Sequence, residues 1–105
     1  MKTSDFNRRG RLLKPVSTED ALGQPSIGWV EVAPVWANIR HMSGLASIKA
    51  GAKSSEVQAS VRIRYREDVL SGWRFTYKAT AYDVKAIAPD MKRREYVDLI
   101  CVVIQ

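Results

Sequence analysis

Apolar and polar residues alternate most cleanly from Glu56 to Arg66, where Val57, Ala59, Val61, Ile63 and Tyr65 interleave with Gln58, Ser60, Arg62, Arg64 and Arg66. A period of two sustained over that length describes a strand with one buried and one wetted face. Trp73, Phe75 and Tyr77 alternate with Arg74, Thr76 and Lys78 in the same way, and Tyr82, Val84 and Ala86 resume the pattern as far as Ile87. Ala79-Thr80 is a weak hairpin turn between them. After the Pro89-Asp90 turn, Arg94 to Ile104 reads as a last strand. It is apolar on both sides after Leu99, as a central or covered strand would be.

The first half is less regular. Arg11 to Thr18 reads as a short first strand, and Met1 to Gly10 as a loose basic arm in which only Phe6 offers an apolar anchor. Glu19 to Gly28 holds Asp20, Gly23, Pro25, Ser26 and Gly28, the chemistry of turns, and predicts a long connection. Trp29 to Arg40 is rich in Val, Ile and Trp but changes parity midway. Val30 and Val32 share one side, and Val35, Ala37 and Ile39 share the other. Pro34 stands at the change, which predicts a bulge or an edge position. Met42 to Ser55 is built of Ser, Gly, Ala and Lys. Ser43 is placed to cap a short helix over Gly44 to Ala50, with Leu45 and Ile48 as its apolar stripe and Gly51 as its stop.

The expectation is a mainly β protein: a small antiparallel β-barrel or sandwich of five to six strands with one short α-helix. It would form one domain over residues 11–105 behind a flexible basic arm at 1–10. Trp36, Trp73, Phe75 and Tyr82 are the expected core aromatics, because side chains of this size supply the area a small core needs. The 105 residues suffice for such a core without disulfides, and the single cysteine, Cys101, cannot make an internal one. No apolar run approaches the roughly 20 residues of a membrane helix. No apolar signal segment opens the chain. These features suit a reducing cytoplasm.

Chemistry is sparse. His41 is the only histidine, so nucleophilic triads and metal sites lack partners, and no phosphate-binding glycine loop occurs. The acid pairs Glu19-Asp20 and Glu67-Asp68 fall in turns as sequence neighbours. The expectation is no catalytic site, no metal and no cofactor. Net charge is the stronger feature: Lys and Arg number 17 against 11 acids, giving +6. Such a balance suits nucleic acid, an anionic surface or an acidic protein. Arg62, Arg64 and Arg66 form a basic stripe on a wetted strand face; acids such as Asp83, Glu95 or Asp98 are available to pair with it across the sheet. Lys92-Arg93-Arg94 falls in a turn. A barrel that stacks single-stranded nucleic acid on aromatics is the alternative function, although Trp73, Phe75 and Tyr77 fall on the face opposite their basic neighbours.

The order of these motifs resembles the head–tail joining (head-closure, stopper) family of long-tailed bacteriophages and prophages. The residues that carry the likeness are Trp29, Val32, Val35-Trp36-Ala37 and Ile39, then Ser43-Gly44, then Ile63-Arg64-Tyr65-Arg66. Trp73-Arg74-Phe75, Tyr82-Asp83-Val84, Pro89-Asp90, Leu99 and Cys101 complete it. Leu45-Ala46 after Gly44 and Ala79-Thr80 at the hairpin depart from the family pattern. The resemblance implies a structural virion protein, made in the host cytoplasm and non-enzymatic. It would form a homo-oligomeric ring, a dodecamer when docked, beneath the portal and its adaptor. The ring would close the DNA-filled head, contact packaged double-stranded DNA non-specifically and present the tail-docking surface; an adaptor or tail-terminator role is the neighbouring alternative. On this reading Ser43, Gly44, Lys49, Gly51 and Lys53 belong to a channel or gating loop, and Arg62, Arg64 and Arg66 to the subunit or adaptor interface.

Overall fold

The computed structural model describes residues 6–41 and 57–104. Six strands form a closed antiparallel barrel: β1 (Arg8–Glu19), β2 (Pro25–His41), β3 (Gln58–Arg64), β4 (Arg74–Tyr77), β5 (Thr80–Pro89) and β6 (Tyr96–Ile104). Round the barrel the order is β1-β2-β3-β6-β5-β4, with β4 returning to β1. Closure removes the open edges that a half-apolar sheet would expose. The expected β-barrel is present. The predicted helix at Gly44 to Ala50 lies outside the described residues, among which there is no helix.

The alternations identified above become the inner wall. Ala59, Val61 and Ile63 of β3, Phe75 of β4, Tyr82 and Val84 of β5, and Val97, Leu99 and Cys101 of β6 are buried with Leu12 and Ala37. Val69 and Trp73, from the β3–β4 connection, close one mouth of the barrel. Of the expected core aromatics, Trp73, Phe75 and Tyr82 are inside, but Trp36 is 49 % exposed. Parity is the reason. Ala37 points inward, so its neighbour Trp36 must point out, where it stands opposite Arg9 in the β1–β2 ladder. Burial also pushes the Cys101 thiol up to about 12, as expected for a small core hydrophobe.

Two bulges reset the alternation. In β2, Leu12 faces Ala33 and Leu13 faces Glu31, leaving Val32 as the extra residue, two positions before Pro34. In β5, Lys85 is the extra residue between Val84 and Ala86. After it Ile87, not Ala86, packs against the core. The tight β4–β5 turn is made without glycine, and Lys78 takes a left-handed φ of 53°.

The first strand and first turn differ from expectation. β1 begins at Arg8, so Arg8 to Gly10 belong to the sheet, and Phe6 ahead of them is buried. The stretch Glu19 to Gly28 is mostly strand: the turn is confined to residues 20–24, and Pro25, Ser26 and Gly28 pair with Glu19, Thr18 and Val16. The turn needs little length because the Asp20 carboxylate accepts hydrogen bonds from the amides of Leu22 and Gln24, each 2.9 Å, while Gly23 supplies a φ of 79°. β1 meets β4 only at Arg11 to Leu13, and β2 meets β3 only from Ala37 onward. Beyond those rungs the two strands pair only with each other. A ribbon from Lys14 to Val30 therefore projects from the barrel, consistent with extents of 49 × 31 × 26 Å.

Gly10 permits closure. A Cβ there would collide with the Phe75 ring and lie 2.5 Å from the Thr76 carbonyl oxygen, whereas one on Gly28 would find its nearest neighbours at 3.5 Å. Gly10→Ala is expected to cost roughly 1–3 kcal/mol and lower Tm by about 5–20 °C, because neither obstacle can give way easily. Gly28→Ala is expected to leave Tm nearly unchanged; thermal unfolding of the two variants checks the contrast.

Candidate functional site

The barrel wall excludes solvent, so any function must be carried by its outer face, its rims or the ribbon. The basic stripe lies on the outer face of β3, as alternation requires, but its members have different partners. Arg62 faces Asp98 across the β3–β6 ladder. Its Nε donates to Asp98 Oδ1 at 2.7 Å and its Nη2 to Oδ2 at 3.0 Å, while the guanidinium lies 3.7 Å from the centre of the Tyr96 ring. The hydrogen bonds to Asp98 raise the Arg62 pKa above its ordinary value. Arg66 lies past the end of β3 and forms the same fork with Asp68, at 2.9 and 2.8 Å. That contact raises Arg66 and lowers Asp68. The Arg64 guanidinium lies over the ring of Phe6, 5.4 Å from its centroid. The stripe is thus a set of seated guanidinium groups whose planes are already used.

A second basic surface is absent from the sequence reading. Because β1 starts at Arg8, Arg9 and Arg11 project outward between the inward Gly10 and Leu12. Arg8 donates to the Tyr77 hydroxyl at 3.3 Å, a contact that lowers the tyrosine pKa. Arg9 lies 5.4 Å over Trp36, and Arg11 pairs with Glu31 at 3.1 Å. The alternation of Arg9 and Arg11 with Gly10 and Leu12 was the available signal for this strand. Arg74, 4.0 Å over Trp29 and 3.4 Å from Asp83, ties the base of the ribbon to the barrel mouth. Aromatics and cations therefore share the outer surface at these positions, contrary to the segregation that β4 alone suggests. Their ring faces carry guanidinium groups, which leaves little platform for stacked bases.

Several other titratable groups have structural partners. The Tyr82 hydroxyl, whose pKa burial raises, lies 3.3 Å from His41 Nε2 at the end of β2. Glu67 accepts from the Tyr65 hydroxyl at 3.2 Å. Asp90 accepts from the amides of Lys92, Arg93 and Glu95 and so holds the β5–β6 turn together. Among the described residues no group of three or more His, Cys, Asp or Glu is placed to hold a metal ion, and no helix is long and apolar enough to cross a membrane. The outer depression bounded by Asn38, Arg40, Ser60, Arg62 and Asp98 is polar and contains the Arg62–Asp98 fork itself. Ser43, Gly44, Lys49, Gly51 and Lys53 lie outside the described residues. The described residues that flank them, His41 at the end of β2 and Gln58 at the start of β3, stand at the rim opposite the ribbon.

Replacing Arg62 tests how much of the stripe serves the fold. Arg62→Met is expected to cost about 1 kcal/mol, since the pair is part-buried and bidentate, and Arg62→Lys to recover only part of it. Urea unfolding of both variants measures the difference.

Comparison with known proteins finds relatives in fold and in sequence. The fold superposes on protein SF1141 from Shigella flexneri 2a, known from a solution structure, with a TM-score of 0.70 and 21 % identity over 96 % of this chain and 95 % of that one. It also superposes on a chain from the virion of a native gene transfer agent particle, with a TM-score of 0.69 and 18 % identity over 91 % and 92 % of the two chains. In sequence the chain is 26 % identical over 82 residues to head completion protein gp7 of Enterobacteria phage HK97, covering 78 % of this chain and 73 % of that protein. The family model for phage head completion proteins matches residues 1–104. The chain belongs to the phage head completion protein family, a family of virion structural proteins rather than enzymes.

Proposed function

We propose that this protein completes the head as part of the head–tail connector, forming a ring beneath the portal and adaptor that retains the packaged genome and receives the tail. The observation that carries the reading is the family match along residues 1–104, on a barrel in which every buried side-chain nitrogen and oxygen among the described residues has a hydrogen-bond partner. A part that works by fit needs a stiff body and distinct contact surfaces. The closed barrel supplies the first; the ribbon and the outer walls supply the second. The relative whose fold it shares belongs to a gene transfer agent virion, which agrees with a place in a particle.

On this reading the adaptor or a neighbouring subunit meets the Arg62, Arg64 and Arg66 face, and the Ser43 to Ser55 segment lines or gates the channel. Small side chains let several copies crowd near an axis, and Lys49 and Lys53 bring limited charge there. Limited charge suits a moving genome. Neutralising about 6–10 phosphates makes binding so electrostatic that about 10³–10⁵ in affinity is lost between roughly 50 and 200 mM salt, a grip too strong for a bore that must release DNA.

Particles assembled without the chain are expected to package DNA, lose it and remain tailless. Particles carrying a chain deleted for Gly44 to Ala52 are expected to retain the ring but leak DNA. Nuclease protection of packaged DNA and electron microscopy of tails read both outcomes. Full genomes and normal tails without the chain would overturn the connector role; full retention with the deletion would remove the gate alone.

A further inference from the structure

The ribbon and the wall across the barrel from it have complementary surfaces. Within the Lys14 to Val30 ribbon the charged residues are Lys14 at its base and Glu19 and Asp20 near its tip, so the tip is acidic within a chain of net charge +6. Asp20 Oδ1 accepts from the turn amides, and no hydrogen bond is made to its Oδ2 among the described residues. Its apolar side chains are in solvent: Leu22 at the tip is 85 % exposed, Ile27 69 % and Val30 45 %. A two-stranded ribbon standing alone is marginal in water, and both its edges carry unpaired backbone groups.

In the closed order β1-β2-β3-β6-β5-β4, the β5–β6 pair stands across the barrel from β1–β2. Its outer face carries the exposed Ile100 and Ile104, with Ala86 and Ala81 opposite them in the ladder, and half-buried Val102 opposite Asp83. This is the strand whose sequence is apolar on both sides. At the end of the barrel from which the ribbon leaves, the β5–β6 turn presents Met91, 76 % exposed, beside exposed Lys92, Arg93 and Arg94. Asp90 in that turn is engaged with the turn's own amides. Asp83 and Asp98 share this outer face but are paired, Asp83 with Arg74 and Lys85 and Asp98 with Arg62. The ribbon therefore offers exposed apolar groups beside acids, and the end of the opposite wall offers exposed Met91 beside the exposed cations of its turn.

We infer that the Lys14 to Val30 ribbon of one copy lies against the β5–β6 wall of a second copy, with Glu19, Asp20 and Leu22 against its Met91 to Arg94 turn. The inference rests on the ring reading above. Two different surfaces on opposite walls make a heterologous contact, the kind that builds a ring when its rotation closes and that the ring reading requires. Burying the ribbon in a neighbour would also supply the support it lacks within its own chain.

Disulfide trapping tests the contact in assembled particles, where Cys101 is buried and does not compete. Virions carrying Leu22→Cys with Met91→Cys, mildly oxidised and run under denaturing, non-reducing conditions, are expected to give a ladder of multiples of the chain, and each single variant none. No ladder from particles that contain several copies would overturn the ribbon contact and leave the ring. One copy per particle would overturn both. Dimers from Leu22→Cys alone would show ribbon meeting ribbon, and a band joining Leu22→Cys to another virion protein would assign the ribbon to that partner; either result overturns the inference. Should the cysteine chain fail to enter particles, charge reversal decides. Glu19→Arg and Arg93→Glu are each expected to reduce incorporation about tenfold, equivalent to ~1.4 kcal/mol, and together to restore it. Failure of the pair to restore incorporation overturns the inference.

Discussion

Everything in this molecule depends on the three rungs that close the barrel, where Arg11, Leu12 and Leu13 of β1 meet Thr76, Phe75 and Arg74 of β4. They remove the last open edge and seal Leu12 and Phe75 into a core with the inward residues of β3, β5 and β6. They also set a limit. β4 is only Arg74 to Tyr77, so it supports a short part of the longer β1. The remainder of β1 has only β2 as partner, and the excess length becomes the ribbon. A compact body and a projecting element thus arise from one mismatch in strand length.

Charge on the outer wall follows a consistent pattern. Guanidinium groups are seated on carboxylates or aromatic rings of nearby strands: Arg62 on Asp98 and Tyr96, Arg74 on Asp83 of β5 and, across β1, on Trp29 of β2, and Arg9 on Trp36. Such pairs fix side chains more than they add stability, because solvent screens them and ordering long side chains costs entropy. A wall of ordered side chains suits a protein whose task is to match other surfaces. The cations at the β5–β6 turn differ. Lys92, Arg93 and Arg94 stand exposed, with Asp90 turned to the backbone beneath them.

Much of the barrel was legible because its strands are half-buried. The strict alternations of Val57 to Tyr65 and of Trp73 to Tyr77 could be satisfied only by a sheet with one dry face, and Trp73, Phe75 and Tyr82 took the inward positions expected of them. Pro34 correctly marked a break in β2, displaced two residues to Val32. The ribbon was not legible because it has no dry face. Without alternation, Pro25, Ser26 and Gly28 carry only their turn preferences, and a partner strand overrides these. Trp36 is outside because parity, not size, decides which face of a strand a residue takes. The start of β1 was obscured by its arginines, whose alternation with Gly10 and Leu12 is intelligible once Phe75 is seen to need the space that Gly10 leaves. Of the basic stripe, the outward placement of Arg62 and its neighbour Asp98 could be read from alternation, whereas the seats of Arg66 on Asp68 and of Arg64 on Phe6 depend on the turn after β3 and the segment ahead of β1. The likeness to phage connector proteins lay in the order of the motifs, and no single motif carried it.

Hydrogen exchange followed by mass spectrometry, comparing the free chain with the chain in assembled particles, tests most directly the claim that closure stops at Leu13 and leaves the ribbon unsupported. The account predicts slow exchange throughout β3 and β6 in both states. Amides of Val16 to Glu19 and Ser26 to Val30 should exchange rapidly in the free chain and slowly in the particle. Protection of those ribbon amides in the free chain equal to that of β3 would contradict it.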